Sequence, residues 1–329
     1  MFNQERITVF MATVFITRVI PDIAKTLLEE TGHSVRVYAE DRPIPEREFI
    51  EGIKDADGVI TLLTDTVSKK VIDAMTRCRV IANYAVGYNN IDVAYAASKG
   101  IIVTNTPGIL TQATAEVAIA LLFACARRIT EGDAMMRRKE FTGWKPMLML
   151  GKELAGSTLG IIGMGRIGRR VAEMASFLGM RIVFYNRTPL PDVMPGRDVR
   201  QVALDELMQI SDAISVHIPL TEGTRYFIDE QMLSLMKPDA IFINTARGEV
   251  VDEKALLRML QEKKIFSAGF DVYDGEPAVN PELLRLDNAV LLPHVGSGTF
   301  TTRSAMARLA AENVIAVLNG SEALTPVIR

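Results

Sequence analysis

Short apolar runs alternate with stretches of helical spacing along most of this chain. In its first third the runs fall at 13–17, 35–38, 58–63, 80–83 and 101–103. Between them, 21–31, 46–53, 68–75 and 92–99 carry apolar residues at helical intervals. Strands separated by helices imply βαβ crossovers and a parallel sheet. A second set runs from 158 to 292, with strands at 159–162, 182–185, 213–217, 240–244, 267–271 and 289–292 and helices at 204–209, 229–235 and 253–261. Ile-Asp-Glu and Val-Asp-Glu open the last two helices as capping sequences. Between the sets, Asn105-Thr106-Pro107-Gly108 punctuates the chain. One long helix is then expected over 112–138, apolar around much of its circumference and so buried between larger bodies. A last helix, 301–318, is expected to return to the first body.

The predicted fold is therefore α/β, with two doubly wound parallel-sheet domains and a cleft between them. One is a flavodoxin-like substrate domain built from 1–106 and 296–329, and the other a Rossmann-type cofactor domain over 107–295. Residues 1–10 precede the first strand, and Met11 is a second candidate start.

Composition narrows the function. With 329 residues, two domains are expected, and 48% hydrophobic residues suffice for two cores. A formal net charge of −3 gives no electrostatic argument for nucleic acid or an anionic membrane. No apolar run approaches the ~20 residues of a membrane span, no secretory signal is legible, and the expected location is the cytoplasm. Two cysteines, Cys78 and Cys125, lie in apolar surroundings without metal-type spacing, so buried reduced thiols are expected and no metal site.

Chemistry enters at 158–186. A strand ends in Gly163, Gly165 and Gly168, a helical segment follows, and a second strand closes the unit. In that context G-x-G-x-x-G is a dinucleotide fingerprint. Gly163 permits the tight turn, Gly165 lets backbone N–H groups reach a pyrophosphate, and Gly168 lets helix and strand pack closely. Met164, Arg166 and Ile167 complete the loop at a helix N-terminus, where the dipole favours an anion. About twenty residues on, NAD-binding folds place an acid for the ribose 2′-OH. Here that place reads Asn186-Arg187-Thr188. Arg187 is suited to a 2′-phosphate, with Asn186 and Thr188 as donors, so NADP(H) is expected to be preferred and NAD(H) possible. The alternative is that Arg187 stacks on adenine and tolerates either.

Later strands also end on polar residues, His217-Ile218-Pro219, Thr245-Ala246-Arg247 and Asp271, where an open parallel sheet binds ligands. Singly, Arg247 reads as a surface cap, Glu276 as a turn residue before Pro277 and His294 as a loop residue after Pro293. Together they offer a carboxylate-binding fork, a proton donor and a carboxylate to tune it.

Several motifs in order resemble the D-isomer-specific 2-hydroxyacid dehydrogenases. They are Gly-Met-Gly-Arg-Ile-Gly, Asn244-Thr245-Ala246-Arg247-Gly248, Asp271-Val272-Tyr273-Asp274-Gly275-Glu276-Pro277 and Pro293-His294-Val295-Gly296-Ser297. The first half adds Val86-Gly87-Tyr88-Asn89-Asn90-Ile91-Asp92 and Leu110-Thr111-Gln112-Ala113-Thr114-Ala115-Glu116. The chain looks most like the glyoxylate/hydroxypyruvate reductases of that family. The resemblance implies that His294 is the acid/base paired with Glu276 and that Arg247 grips the substrate carboxylate. It also implies that the Val86 and Gly87 amides hold the same carboxylate, and a small open loop around Leu62 suits a small substrate. Thr111, Thr245, Ala246, Asp271 and Gly296 are implied as cofactor contacts. A homodimer is implied too, with the Trp144 loop reaching the partner's site. The expected reaction is hydride transfer from NADPH to glyoxylate or hydroxypyruvate, giving the D-2-hydroxy acid. The alternatives are a D-3-phosphoglycerate dehydrogenase and a non-catalytic dinucleotide-sensing protein.

Overall fold

A computed structural model describes residues 11–191, 193–194 and 198–328; the question of a tail over 1–10 lies outside them. The chain divides into two compact units. The first comprises the chain up to Leu110 and from Gly298 onward, and the second is Thr111–Ser297. The expected boundaries lay a few residues earlier at both crossings. Ile109 and Leu110 pack on the core of the first unit, which carries its boundary past the Pro-Gly pair. Val295 and Gly296 are hydrogen-bonded to Asp271 of the second.

The first unit opens with β1 (Thr13–Ile16), α1 (Ile23–Glu30), β2 (Ser34–Val37), α2 (Glu46–Ile53), β3 (Gly58–Thr61), α3 (Lys69–Asp73), β4 (Val80–Asn83), α4 (Val93–Ser98) and β5 (Ile102–Thr104). All its strand pairs are parallel, in the order β2-β1-β3-β4-β5. That is the flavodoxin-like order, whose direction reverses between β1 and β3. β3 and β4 are buried along their length, as central parallel strands must be.

The second unit comprises α5 (Thr111–Ala126), α6 (Ile129–Arg137), β6 (Thr158–Ile162), α7 (Arg166–Phe177), β7 (Arg181–Tyr185), β8 (Val199–Gln201), α8 (Leu204–Ile210), β9 (Ala213–Val216), α9 (Glu230–Ser234), β10 (Ile241–Asn244), α10 (Glu253–Gln261), β11 (Ser267–Phe270) and β12 (Ala289–Leu291). Its parallel sheet runs β12-β11-β10-β9-β6-β7-β8 and changes direction between β6 and β9. That places the glycine loop, which follows β6, at the switch point where such sheets bind dinucleotides. Asp229 and Asp252 cap α9 and α10 by accepting from Met232 N at 2.9 Å and Ala255 N at 3.0 Å. The short edge strand β8 was not anticipated; three residues of half-exposed Val-Arg-Gln carry too little pattern.

The expected long helix over 112–138 is two helices. Lys152 N–H donates to Ala126 O at 2.7 Å, taking the carbonyl that a continuing helix would use. Arg128 then adopts a left-handed backbone (φ 54°) and pairs with Glu131 in the first turn of α6. The apolar circumference of α5 follows from its packing between α7 and the face of β10, β11 and β12. Cys78 and Cys125 are buried free thiols, and burial pushes the pKa of each up to about 12. Among the described residues no helix is long and apolar enough to cross a membrane.

The closing helix α11 (Phe300–Leu318) packs on α1, β3 and β4 of the first unit. Asn313, fully buried, secures the segment beyond it. Its side chain accepts from Thr325 N at 2.9 Å and donates to Leu309 O and Thr325 Oγ1, while Thr325 Oγ1 donates to Asn105 O at 2.6 Å. Asn313→Ala strands the Thr325 N–H and is expected to cost about 1–3 kcal/mol. Urea unfolding measures this as a lowered midpoint; an unchanged midpoint contradicts the assignment.

Candidate active site

The glycine loop is shaped by what each glycine would strike. Gly163 has φ +100°, and an added Cβ would lie 2.6 Å from Ile218 Cγ2 and 2.8 Å from His217 O. The loop thus lies flat on the end of β9, which fixes where His217 and Ile218 sit. At Gly168 a Cβ would come within 2.1 Å of Gly163 O, so α7 approaches the turn closely only because this residue is glycine. Gly165 differs. Nothing lies within 4 Å of its Cβ position, which leaves that space to a ligand approaching the first turn of α7. Beside it Thr111, Arg166, Arg169, Arg170, Glu173, Val193 and Met194 line a hollow of about 430 Å³. Thr245 Oγ1, at the end of β10, is buried with no partner among the described residues. A cradle with room at Gly165, an arginine-rich hollow and an orphaned hydroxyl fit a dinucleotide.

At the end of β7, Asn186 Nδ2 donates to Thr188 O at 2.9 Å, and Gln201 Nε2 donates to Asn186 O at 3.0 Å. This turn is therefore folded by its own bonds. Arg187 projects from it exposed, and among the described residues no carboxylate pairs with it.

A second group gathers beyond β10, β11 and β12. Asp271, buried at the end of β11, accepts the N–H groups of Val295 and Gly296, both at 2.7 Å. These bonds fold the chain back directly after His294, which sits in the left-handed region (φ 54°). Burial raises the Asp271 carboxyl pKa against the pull of the two N–H groups. Glu276 bonds His294 Nδ1 through Oε2 at 2.7 Å and accepts Tyr273 N–H through Oε1 at 2.8 Å. Burial alone would raise the Glu276 pKa. The His294 hydrogen bond and charge, the Tyr273 N–H and the Arg247 charge outweigh it, and the pKa falls below the usual value. Glu276 is thus ionised at neutral pH and only accepts, so His294 Nδ1 carries the hydrogen toward it. Nε2 is then the ring nitrogen available for proton exchange with a ligand.

Arg247 follows β10 and is oriented by its neighbours. Asn244 Nδ2 donates to Arg247 O at 2.9 Å and Asn244 Oδ1 accepts from Ala246 N at 3.0 Å. Gly248 lets this turn abut the Glu276 loop, since a Cβ there would fall 1.9 Å from Tyr273 C. The structure thus brings Arg247, Glu276 and His294 to one edge of one sheet. The other two histidines are poorly suited to hold a proton. Burial pushes His217 down to about 3 and lowers His33 despite the opposing charge of Asp57.

Three positioning residues were not singled out from sequence. Glu253 accepts Asp274 N–H at 3.0 Å, Tyr273 O–H donates to Leu292 O at 2.8 Å, and Asn244 braces Arg247. Tyr273 and Asn244 stand inside the 271–277 and 244–248 motifs, whereas Glu253 reads as an ordinary first-turn acid and gave no signal.

The expected substrate contacts Leu62, Val86 and Gly87 belong to the first unit, where partly buried side-chain amides hold each of them. Asn83 Nδ2 donates to Gly87 O at 2.8 Å, Asn90 Nδ2 to Leu62 O at 3.0 Å and Asn105 Nδ2 to Val86 O at 2.7 Å. The carbonyls being tied back, no protein acceptor meets the N–H of Val86 or Gly87 among the described residues.

The family model for the NAD-binding domain of the D-isomer-specific 2-hydroxyacid dehydrogenases matches residues 119–296. A glyoxylate reductase from Pyrococcus furiosus is 46% identical over 93% of this chain and 92% of its own. This chain belongs to the D-isomer-specific 2-hydroxyacid dehydrogenases. Among solved structures, a glyoxylate reductase from Paecilomyes thermophila superposes with a TM-score of 0.86 at 32% identity, over 97% of this chain and 98% of that one. An NADPH-dependent glyoxylate/hydroxypyruvate reductase from Sinorhizobium meliloti, solved with NADP and malonate, gives 0.85 at 32% identity over 96% and 97%. The protein is accordingly an NAD(P)-dependent dehydrogenase of 2-hydroxy acids that takes a small 2-oxo acid as substrate.

The two outer glycines and the middle one should respond differently to a methyl group. Gly165→Ala is expected to leave the unfolding midpoint nearly unchanged, within about 0.5 kcal/mol, while weakening reduced-dinucleotide binding. Gly168→Ala should lower both. Fluorescence titration beside urea unfolding checks this, and Gly165→Ala with undiminished binding would contradict the cradle.

Proposed function

We propose that this dehydrogenase reduces glyoxylate, and hydroxypyruvate beside it, to the D-2-hydroxy acid with NADPH. The observation that carries the reading is the 2.7 Å contact between His294 Nδ1 and ionised Glu276 beside Arg247. It supplies a proton donor at Nε2 next to a permanent cation. The glycine loop would hold a reduced dinucleotide by its pyrophosphate, and the chemistry such a cofactor would supply is a hydride for C2 of the substrate. Arg247 binds the substrate carboxylate through its planar fork. His294 delivers its Nε2 proton to the oxygen that becomes the hydroxyl, and Glu276 stabilises the imidazolium when the ring is reprotonated. On the first unit the N–H groups of Val86 and Gly87 are assigned to substrate binding, together with Leu62.

The remaining assignments follow the fold. Met164, Arg166, Ile167 and the three glycines hold the pyrophosphate. Thr111, His217, Ile218, Pro219, Thr245, Ala246, Asp271 and Gly296 surround the rest of the dinucleotide. Asp271 does so with both carboxylate oxygens already accepting an N–H, which leaves one lone pair on each. The preference for NADPH is supported by exposed Arg187 between Asn186 and Thr188, a three-residue segment that holds no acid to repel a 2′-phosphate, and by the NADPH-dependent relative. We also assign the protein as a homodimer. Residues 129–150 expose Ile129, Met136, Phe141, Trp144, Met147 and Leu150, with Trp144 82% exposed. Apolar surface on that scale suits a partner surface.

Oxidation of NADPH and NADH with glyoxylate, hydroxypyruvate and pyruvate tests the reading. Fast turnover is expected for the first two acids with NADPH, and Arg187→Ala should raise the KM for NADPH about ten-fold or more while leaving that for NADH nearly unchanged. Equal effects on both would overturn the 2′-phosphate assignment, and no turnover of glyoxylate would overturn the substrate.

A further inference from the structure

The first unit has a hollow that reaches well past Leu62, the one lining residue assigned above to the substrate. Its sheet reverses direction between β1 and β3, and the loops leaving those two strands part over a hollow of about 650 Å³. Arg18, Val19, Ile20 and Pro21 line it after β1, Asp41 after β2, Leu62 after β3 and Tyr84 after β4. The start of α11 closes it with Thr299, Arg303 and Ser304. Open α/β sheets bind their ligands at this topological position, and the volume is that of a small-molecule site. It is far larger than glyoxylate needs.

Two guanidinium groups set its chemistry. Arg303 lies over the ring of buried Tyr84, 6.0 Å from the centroid, and Tyr84 O–H donates to Arg303 O at 2.8 Å. The phenol thus fixes both the backbone and the head group of Arg303. Arg18 is half-buried, its Nε is enclosed without a partner among the described residues, and its Nη2 reaches only Thr64 Oγ1 at 3.4 Å. A buried donor of a charged group left unmatched is costly, and a bound oxyanion answers it. Neither nearby acid hydrogen-bonds to that donor among the described residues. Asp65 accepts from Thr17 Oγ1 and, at 2.7 Å, from Leu62 N–H, both through Oδ2, while its buried Oδ1 has no hydrogen-bond partner among the described residues; burial raises its carboxyl pKa although the Arg18 charge opposes this. Asp41 is exposed at the rim and forms no ion pair among the described residues.

We propose that Arg18 and Arg303 form an oxyanion site in the first unit, taking the carboxylate or phosphate group of a small organic acid. Planar two-point pairing with guanidinium suits both groups. Exposed Val19 and Phe300 at the mouth suit a ligand with some carbon skeleton.

Calorimetric titration of the full chain with succinate and with glycerol phosphate tests the site. At least one acid is expected to bind saturably, and the tighter of the two shows whether the preferred group is carboxylate or phosphate. Arg18→Gln should weaken that binding about ten-fold or more, as should Ser304→Glu, which puts a negative charge on an exposed wall position without touching the core. Arg18→Lys should restore part of it, and Arg247→Gln should change it by no more than about two-fold. Absence of saturable binding by both acids overturns the proposal. So does binding that survives Arg18→Gln and Ser304→Glu, or that only Arg247→Gln removes. None of these readouts depends on turnover, so the reductase assignment stands or falls separately.

Discussion

The carboxylate of Asp271 accepting two successive backbone N–H groups is the constraint on which the catalytic edge depends. It bends the chain immediately after His294 and holds that residue in a backbone region few non-glycine residues occupy. The ring then meets Glu276, whose own loop is held by the Tyr273 N–H, by the Glu253 carboxylate under Asp274 and by the close fit of Gly248. Burial acts against both carboxylates. Glu276 overcomes it through cationic neighbours and N–H donors, whereas Asp271 does not. The result is one ionised acceptor behind the imidazole, which leaves Nε2 to face a ligand.

The fold was largely legible because both sheets are parallel and buried. Strands such as β4 and β10 read as apolar runs up to a closing Asn, and aspartates marked the starts of α9 and α10. The glycine loop was legible too, since Gly163 and Gly168 answer local steric demands while Gly165 leaves its Cβ position open. What escaped depended on tertiary partners. The break between α5 and α6 arises because Lys152 captures the Ala126 carbonyl, an event 26 residues away in sequence that helical spacing cannot register. The β8 strand is three residues long and takes its conformation from β7.

At the site, the pairing of Glu276 with His294 was expected from the order of motifs. The supports behind it were not. Glu253 is an acid in a helix's first turn, and only its burial beside the Asp274 amide gives it a second task. The hollow at Arg18 was likewise invisible, because its two arginines stand far apart in the chain and line one hollow only when α11 packs on the first unit. The same packing explains why Asn313 is buried and fully bonded on the inward face of that helix.

The most direct test of this account is the turnover of His294→Ala measured beside its affinity for reduced dinucleotide. If His294 is the proton donor held by Glu276, turnover falls by about 10²–10⁴ while dinucleotide affinity stays near that of the unaltered protein. Turnover within a few-fold of the original would remove His294 from the chemistry, and with it the reason for the Asp271 and Glu276 arrangement.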